Sequence, residues 1–253
     1  MTVHFVGAGP GAAHLLTVRA AALLAATQVC VYAGSYVEDA VLSLCGPRTR
    51  LVDTAHLDLD AITDALVGAH HDGLDVVRLC SGDPSLYSAL TEQARRLDAA
   101  GVPWDVTPGV PAYAAAAAAL GVELTVPELV QTVVLTRTQA RSTAMPSSES
   151  LAATAAIGGS LVLHLAVTRI RELGPTLVES YGEDCPVAVV AFASQPREVV
   201  LRGTLADIAT AVEEAGLRHT AVIIVSRALA ARSDAACVAE SHLYDPSRRR
   251  PAQ

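Results

Sequence analysis

Three short segments carry residue types and spacings that can hold a small ligand against main chain. They are Gly7-Ala8-Gly9-Pro10-Gly11-Ala12, Cys80-Ser81-Gly82-Asp83-Pro84-Ser85-Leu86-Tyr87 and Pro108-Gly109-Val110-Pro111-Ala112. The first satisfies G-x-G-x-x-A, a pattern in which N–H groups at a helix start receive a pyrophosphate. Two residue choices argue against that ligand. Pro10 has no N–H to donate. The acid expected after the second strand, to accept from a ribose hydroxyl, is missing: Ala33-Gly34 stand there and the first acid is Glu38. The turn therefore suits a ligand that needs close backbone approach and carries no pyrophosphate, with a tight structural turn as the alternative.

In the second segment Gly82 permits close approach, Asp83 can accept from a ribose or an amine, and Pro84 fixes the turn. An ordinary Asp-Pro turn explains it equally well. The third follows a strand and precedes a helix, and an ordinary loop would look the same.

Composition removes several other chemistries. All 18 basic residues are Arg and the 253-residue chain has no Lys, which excludes a Schiff-base lysine and a P-loop lysine. A formal net charge of −8 disfavours broad nucleic-acid binding. Five cysteines (Cys30, Cys45, Cys80, Cys185, Cys237) lack C-x-x-C spacing and read as buried thiols, and eight histidines show no ligand spacing, so no metal site is expected. The longest apolar run, residues 112–122, is too short to span a bilayer, and no basic flank precedes the first apolar strand. A cytoplasmic protein without membrane association is the expectation.

These segments need elements to position them. Strands are expected at Val3–Val6, Gln28–Tyr32, Asp75–Cys80 and Trp104–Val106. They alternate with helices at Leu15–Ala26 (Thr17 as N-cap), Ala61–His70, Leu90–Ala100 and the Ala-rich Ala112–Leu120. Such alternation predicts a parallel sheet covered by helices. From Gln131 five apolar runs follow, at 132–136, 160–164, 186–191, 198–201 and 221–225. Several lie too close together for helical crossovers, so antiparallel or mixed pairing is expected. The reading is an α/β chain with an N-terminal domain over 1–120, a C-terminal domain over 121–245 and a disordered tail over 246–253.

Taken together, Gly-Ala-Gly-Pro-Gly, then Ser-Gly-Asp-Pro, then Pro-Gly-Val before an Ala-rich helix, resembles the tetrapyrrole methylases. The likeness runs over residues 3–229, including Gln131–Arg137, Pro186–Val190, Val199–Leu205 and Ala221–Val225. Val31–Val37, Gly82–Tyr87 and Leu135–Thr138, with Arg141 and Met145-Pro146, are most similar to the branch that methylates precorrin-4 at C11.

The resemblance implies S-adenosylmethionine as methyl donor, held in a cleft between the two domains of a homodimer. By position, Pro10, Gly82, Asp83, Leu86, Ala112, Leu165, Ala188 and Ala221 would touch it. Pro111 departs from the usual Ser or Thr, and Leu165 from the frequent Met. The acceptor would be a polycarboxylate tetrapyrrole, precorrin-4 or its cobalt form, for which Arg19, Arg137 and Arg141 are candidates to pair with carboxylates. No catalytic residue is identified; Tyr87, Tyr113 and Asp83 are the candidates to stabilise charge on the acceptor. The alternatives are a sister methylase acting on another ring position or on a protein or RNA, and a nicotinamide-dependent oxidoreductase or nucleotide-binding module.

Overall fold

The computed structural model describes residues 1–34, 36–138, 144–231 and 241–242. They divide into two compact units. Met1–Ala115 with Phe192–Arg197 forms one, and Ala116–Ala191 with the chain after Arg197 forms the other. The division falls inside a helix five residues before the expected boundary, and it returns six residues of the second half to the first unit. The expected tail, 246–253, lies outside the described residues.

The first unit holds a five-stranded sheet: β1 (Val3–Gly7), β2 (Val29–Tyr32), β3 (Arg50–Asp53), β4 (Val76–Cys80) and β5 (Trp104–Thr107), in the order β3-β2-β4-β1-β5. Every pairing is parallel. Helices α1 (Val18–Ala26), α2 (Asp39–Leu42), α3 (Leu59–His71) and α4 (Leu90–Ala99) connect the strands. All five residues of β4 are buried, as expected of a parallel strand covered on both faces. One face packs Val3, Phe5, Val31 and Cys80 under Leu66 of α3 and Leu97 of α4. The other packs Val6, Cys30, Val77 and Leu79 under Ala20 and Leu24 of α1. This alternation is the period of two in the sequence made physical.

Two helix starts are built from side-chain caps. The Thr17 hydroxyl accepts from the Ala20 N–H at 3.1 Å, and Asp58 accepts from the Ala61 N–H at 2.8 Å. Thr17 is the expected cap, but the helix starts after it, at Val18; Ala13–Leu15 form a separate 3-10 turn.

Helix α5 (Ala112–Leu120) carries the chain into the second unit. There β6 (Val133–Arg137), β7 (Ser160–His164), β8 (Pro186–Ala191), β9 (Val199–Thr204) and β10 (Ala221–Val225) form a sheet in the order β6-β7-β10-β8-β9. β6 and β7 are parallel, while β10 runs antiparallel to β7 and β8, and β9 antiparallel to β8. The expected mixed pairing is present. Helices α6 (Leu151–Ala155), α7 (Ile170–Tyr181) and α8 (Ile208–Glu214) complete the unit. No described helix is long and apolar enough to cross a membrane.

Candidate functional site

Strand order brings the three glycine segments to one edge. β4 and β5 flank β1, all three run parallel, and each segment follows the carboxyl end of its strand. The chain leaves β1 toward β2 on one side and leaves β4 toward β5 on the other. That makes β1/β4 a topological switch point, where open α/β sheets bind ligands.

The three turns meet main chain to main chain. Gly9 and Gly82 form an antiparallel bridge, Gly82 N–H donating to Gly9 at 2.8 Å and Gly9 N–H to Gly82 at 3.1 Å. A Cβ on Gly7 would stand 2.5 Å from Gly109 N and 2.8 Å from Gly82 O, closer than atoms can approach. A Cβ on Gly109 would strike the Gly82 carbonyl and lie 2.8 Å from Gly7 Cα. Glycine is required at both places by contact with backbone, which cannot rotate away.

Asp83 locks the junction. One carboxylate oxygen accepts from the Gly109 N–H at 2.8 Å, and the other from the Ser85 N–H at 2.8 Å and from the Ser85 hydroxyl. Burial works to raise the Asp83 pKa, but the hydrogen bonds from Ser85 and Gly109 outweigh it and hold the group below its ordinary value. The residue expected to accept from a ligand thus spends its oxygens on the protein.

A hydrogen-bond account of the first turn shows what it can offer. Ala8 N–H donates to Cys80 O at 2.7 Å, Gly9 N–H to Gly82 O, and Ala12 N–H to Ser194 Oγ at 3.1 Å. Pro10 has none. Among the described residues, the Gly11 N–H is the one donor of this turn with no protein acceptor. A pyrophosphate cradle needs several converging donors, and this turn keeps one.

Beyond Asp83 the second turn is shaped by a buried polar chain. Arg78, 7% exposed in β4, donates through Nε to Gln93 Oε1 at 2.9 Å and through Nη1 to Val31 O at 3.3 Å. Gln93 in α4 donates through Nε2 to the carbonyls of Ser88 at 3.2 Å and Ala89 at 3.0 Å, and the Ser88 hydroxyl donates to Pro84 O. The loop so gripped contains two non-glycine residues in the left-handed region, Tyr87 at φ +54° and Ala89 at φ +55°. Tyr87 is 47% exposed. Strained backbone of this kind clusters at functional sites.

The remaining expected residues separate. Pro10, Gly82, Asp83, Leu86 and Ala112 all lie at or beside the glycine junction. Gly82 faces Pro111 and Ala112 at 3.8 and 3.7 Å from where its Cβ would be. Pro111 opens α5, its carbonyl accepting from Ala114 and Ala115. Tyr113 is half-buried in the first turn of that helix.

In the second unit Leu165 follows β7, 60% exposed and at φ +54°. Ala221 opens the antiparallel neighbour β10 beside Thr220 at φ +55°, so the two share one sheet edge. Ala188 stands mid-strand in β8, 1% exposed, and presents no open surface.

Arg19 is engaged by Asp105 at 3.1 Å, whose other oxygen lies 2.8 Å from His4 Nδ1. Arg137 ends β6, half-buried, and Arg141 lies outside the described residues. Cys30, Cys80 and Cys185 are buried, and burial pushes Cys80 and Cys185 up to about 11, so these two thiols stay protonated at neutral pH.

Gln195, Ser194, Arg78 and Gln93 were not among the expected site residues. The signal in sequence for Arg78 is a charge inside an otherwise apolar strand. Nothing local marks Gln195, which meets Pro10 across 185 residues.

Comparison with known proteins agrees with this architecture. Residues 2–209 match the family model described as Tetrapyrrole (Corrin/Porphyrin) Methylases. The chain is 54% identical over 250 residues to a precorrin-4 C(11)-methyltransferase of Rhodococcus erythropolis, covering 99% of each. Its structure matches that of a cobalt precorrin-4 methyltransferase with a TM-score of 0.87 at 35% identity, over 90% of this chain and 95% of that one. It also matches uroporphyrin-III C-methyl transferase from Thermus thermophilus, solved with S-adenosyl homocysteine, with a TM-score of 0.78 at 28% identity, over 90% and 99%. A parallel sheet with its glycine junction at the switch point, a mixed second sheet and a match over most of the length lead to one conclusion: this chain belongs to the tetrapyrrole (corrin/porphyrin) methylase family.

Proposed function

We propose that this chain transfers the methyl group of S-adenosylmethionine to C11 of precorrin-4 or of cobalt-precorrin-4. The reaction class rests on one observation: the first turn of the glycine junction keeps a single N–H without a protein acceptor, which fits a donor without phosphate. Similarity over 99% of the chain to a precorrin-4 enzyme supports the substrate, and the likeness to a cobalt precorrin-4 enzyme keeps the metallated form as the second reading.

When bound, S-adenosylmethionine supplies an already activated methyl group. The protein's part is to place the acceptor carbon in line with it and to exclude water. Pro10, Gly82, Asp83, Leu86 and Ala112 form the donor side at the junction, Asp83 by shaping it. Leu165, Ala188 and Ala221 complete the proposed set; of these, Leu165 and Ala221 lie along an accessible sheet edge. Tyr87, exposed on a strained loop, is the first choice to stabilise charge on the acceptor, ahead of Tyr113 and of Asp83, whose oxygens are engaged. Arg19, Arg137 and Arg141 are the arginines proposed for substrate carboxylates, Arg19 being the one paired with Asp105 at 3.1 Å. A homodimer in the cytoplasm is part of the same reading, supported by the family resemblance; sedimentation of the purified chain and cell fractionation test it.

The deciding experiment incubates the chain with labelled S-adenosylmethionine and either precorrin-4 or cobalt-precorrin-4, then determines product mass and methyl position. One added methyl at C11 is expected. Transfer to another position would make this a sister methylase, and no transfer together with no binding of S-adenosylhomocysteine would overturn the reading.

A further inference from the structure

The glycine turn is held from two sides, and the second side comes from far along the chain. Phe192–Arg197 follow β8 in sequence yet belong to the first unit. Within them Gln195, 6% exposed, donates through Nε2 to the Pro10 carbonyl at 3.3 Å. The same side chain fills the space beside Gly11: a Cβ there would lie 2.8 Å from Nε2, and Gly11 adopts φ +148°. Ser194 Oγ accepts from the next N–H, that of Ala12.

The amide of Gln195 can face only one way. Its Oε1 accepts from Arg197 Nε at 3.2 Å, and a guanidinium can only donate. Nε2 is thereby aimed at Pro10 O, which can only accept. Arg197 is fixed in turn, stacked 4.1 Å above the Phe192 ring and donating to Glu38 at 3.4 Å. The segment holds this shape although Phe192 and Ser194 sit at φ +53° and +67°, a conformation L side chains rarely adopt.

We propose that Gln195 is a positioning residue for the methyl donor. It acts through Pro10 and Gly11, fixing the turn so that the one open N–H, on Gly11, faces the ligand, and Arg197 fixes Gln195. This rests on the reading above that the junction takes S-adenosylmethionine.

The test measures S-adenosylhomocysteine binding by calorimetry, and kcat and KM for both substrates, on the full chain. Gln195→Met keeps length and volume but cannot donate; Gln195→Ala loses both; Arg197→Leu leaves the glutamine in place but frees its amide. Expected are about tenfold weaker binding for Gln195→Met, at least that for Gln195→Ala and a few-fold for Arg197→Leu, a tenfold change being the scale of one net hydrogen bond. KM for the tetrapyrrole should stay unchanged. Wild-type binding matched by Gln195→Met and Arg197→Leu would overturn the inference and leave the function standing, as would equal losses for both ligands. Absence of wild-type binding would overturn both. If Gln195→Met does not fold, Arg197→Leu, at a more exposed side chain, decides alone.

Discussion

The carboxylate of Asp83 holds the main chain of Gly109, 26 residues away, at 2.8 Å. That bond ties the turn after β4 to the turn after β5, and the Gly9–Gly82 bridge ties both to the turn after β1. A residue that reads in sequence as a ligand contact is the fastener of the surface on which a ligand would rest.

Asp83→Asn should therefore cost about 1.5–3 kcal/mol, the range for hydrogen bonds to a charged group. The pH dependence follows from its depressed folded pKa. Such a carboxylate stabilises the fold above its unfolded pKa of about 3.9, and the gain is lost as pH falls through the lower folded value. Melting curves of wild type and variant should stay apart at pH 6 and converge only below about pH 4. Curves that remain parallel to pH 2 would rule the fastening role out.

Two glycine substitutions should act with opposite sign. Gly109→Ala forces a methyl against the Gly82 carbonyl and Gly7 backbone, and should destabilise by at least the 1–3 kcal/mol typical of overpacking. Gly68→Ala, on the exposed side of α3 with nothing within 4 Å, should stabilise by about 0.5–1 kcal/mol. Urea denaturation of the pair reads both.

Much of this architecture was legible from residue order. Buried parallel strands such as Val3–Gly7 are continuous apolar runs but for a single polar residue, and glycine turns at their ends name the switch-point edge. Illegible elements have physical reasons. β3 is a four-residue edge strand, mostly exposed, without alternation. α7 carries Gly174-Pro175 in its interior, a pair that reads as a break, yet its buried Ile170, Leu173, Leu177 and Tyr181 hold it helical. The site was half legible: residues on the junction are local to their strands, whereas Gln195 and Gln93 act through contacts that only the fold creates.

Gln93→Leu should be more damaging than its size implies. It leaves the Arg78 guanidinium buried without the Oε1 acceptor and removes the side-chain donor to the Ser88 carbonyl, while the Ala89 carbonyl keeps the backbone N–H of residue 93, a loss of about 2 kcal/mol or more. Replacing both partners, Arg78→Leu with Gln93→Leu, should recover part of that stability, because no buried charge is left uncompensated. Additive losses in the double-mutant cycle would show that the two side chains act independently.

Ligand choice can be read by melting temperature alone. S-adenosylhomocysteine at a hundred times its Kd adds about 2.7 kcal/mol, or roughly 5–10 °C for a chain of this length. NADH should leave the transition unmoved, because the turn keeps one open donor where a pyrophosphate needs several. A saturable NADH shift would restore the nucleotide reading.

The clamp on Pro10 also sets an order of assembly. The glycine turn follows β1, but its outer hydrogen bonds span 182 and 185 residues. During synthesis the first sheet can pair while Ser194 and Gln195 have yet to be made, so a nascent chain carries the turn in an unfinished state. Closure over that separation costs more entropy than the pairings within the first sheet, though the cost grows only slowly with length. Competence to bind the donor should appear late in translation, after the fold of the first sheet, and a fragment ending before β8 should fold its strands yet fail to bind.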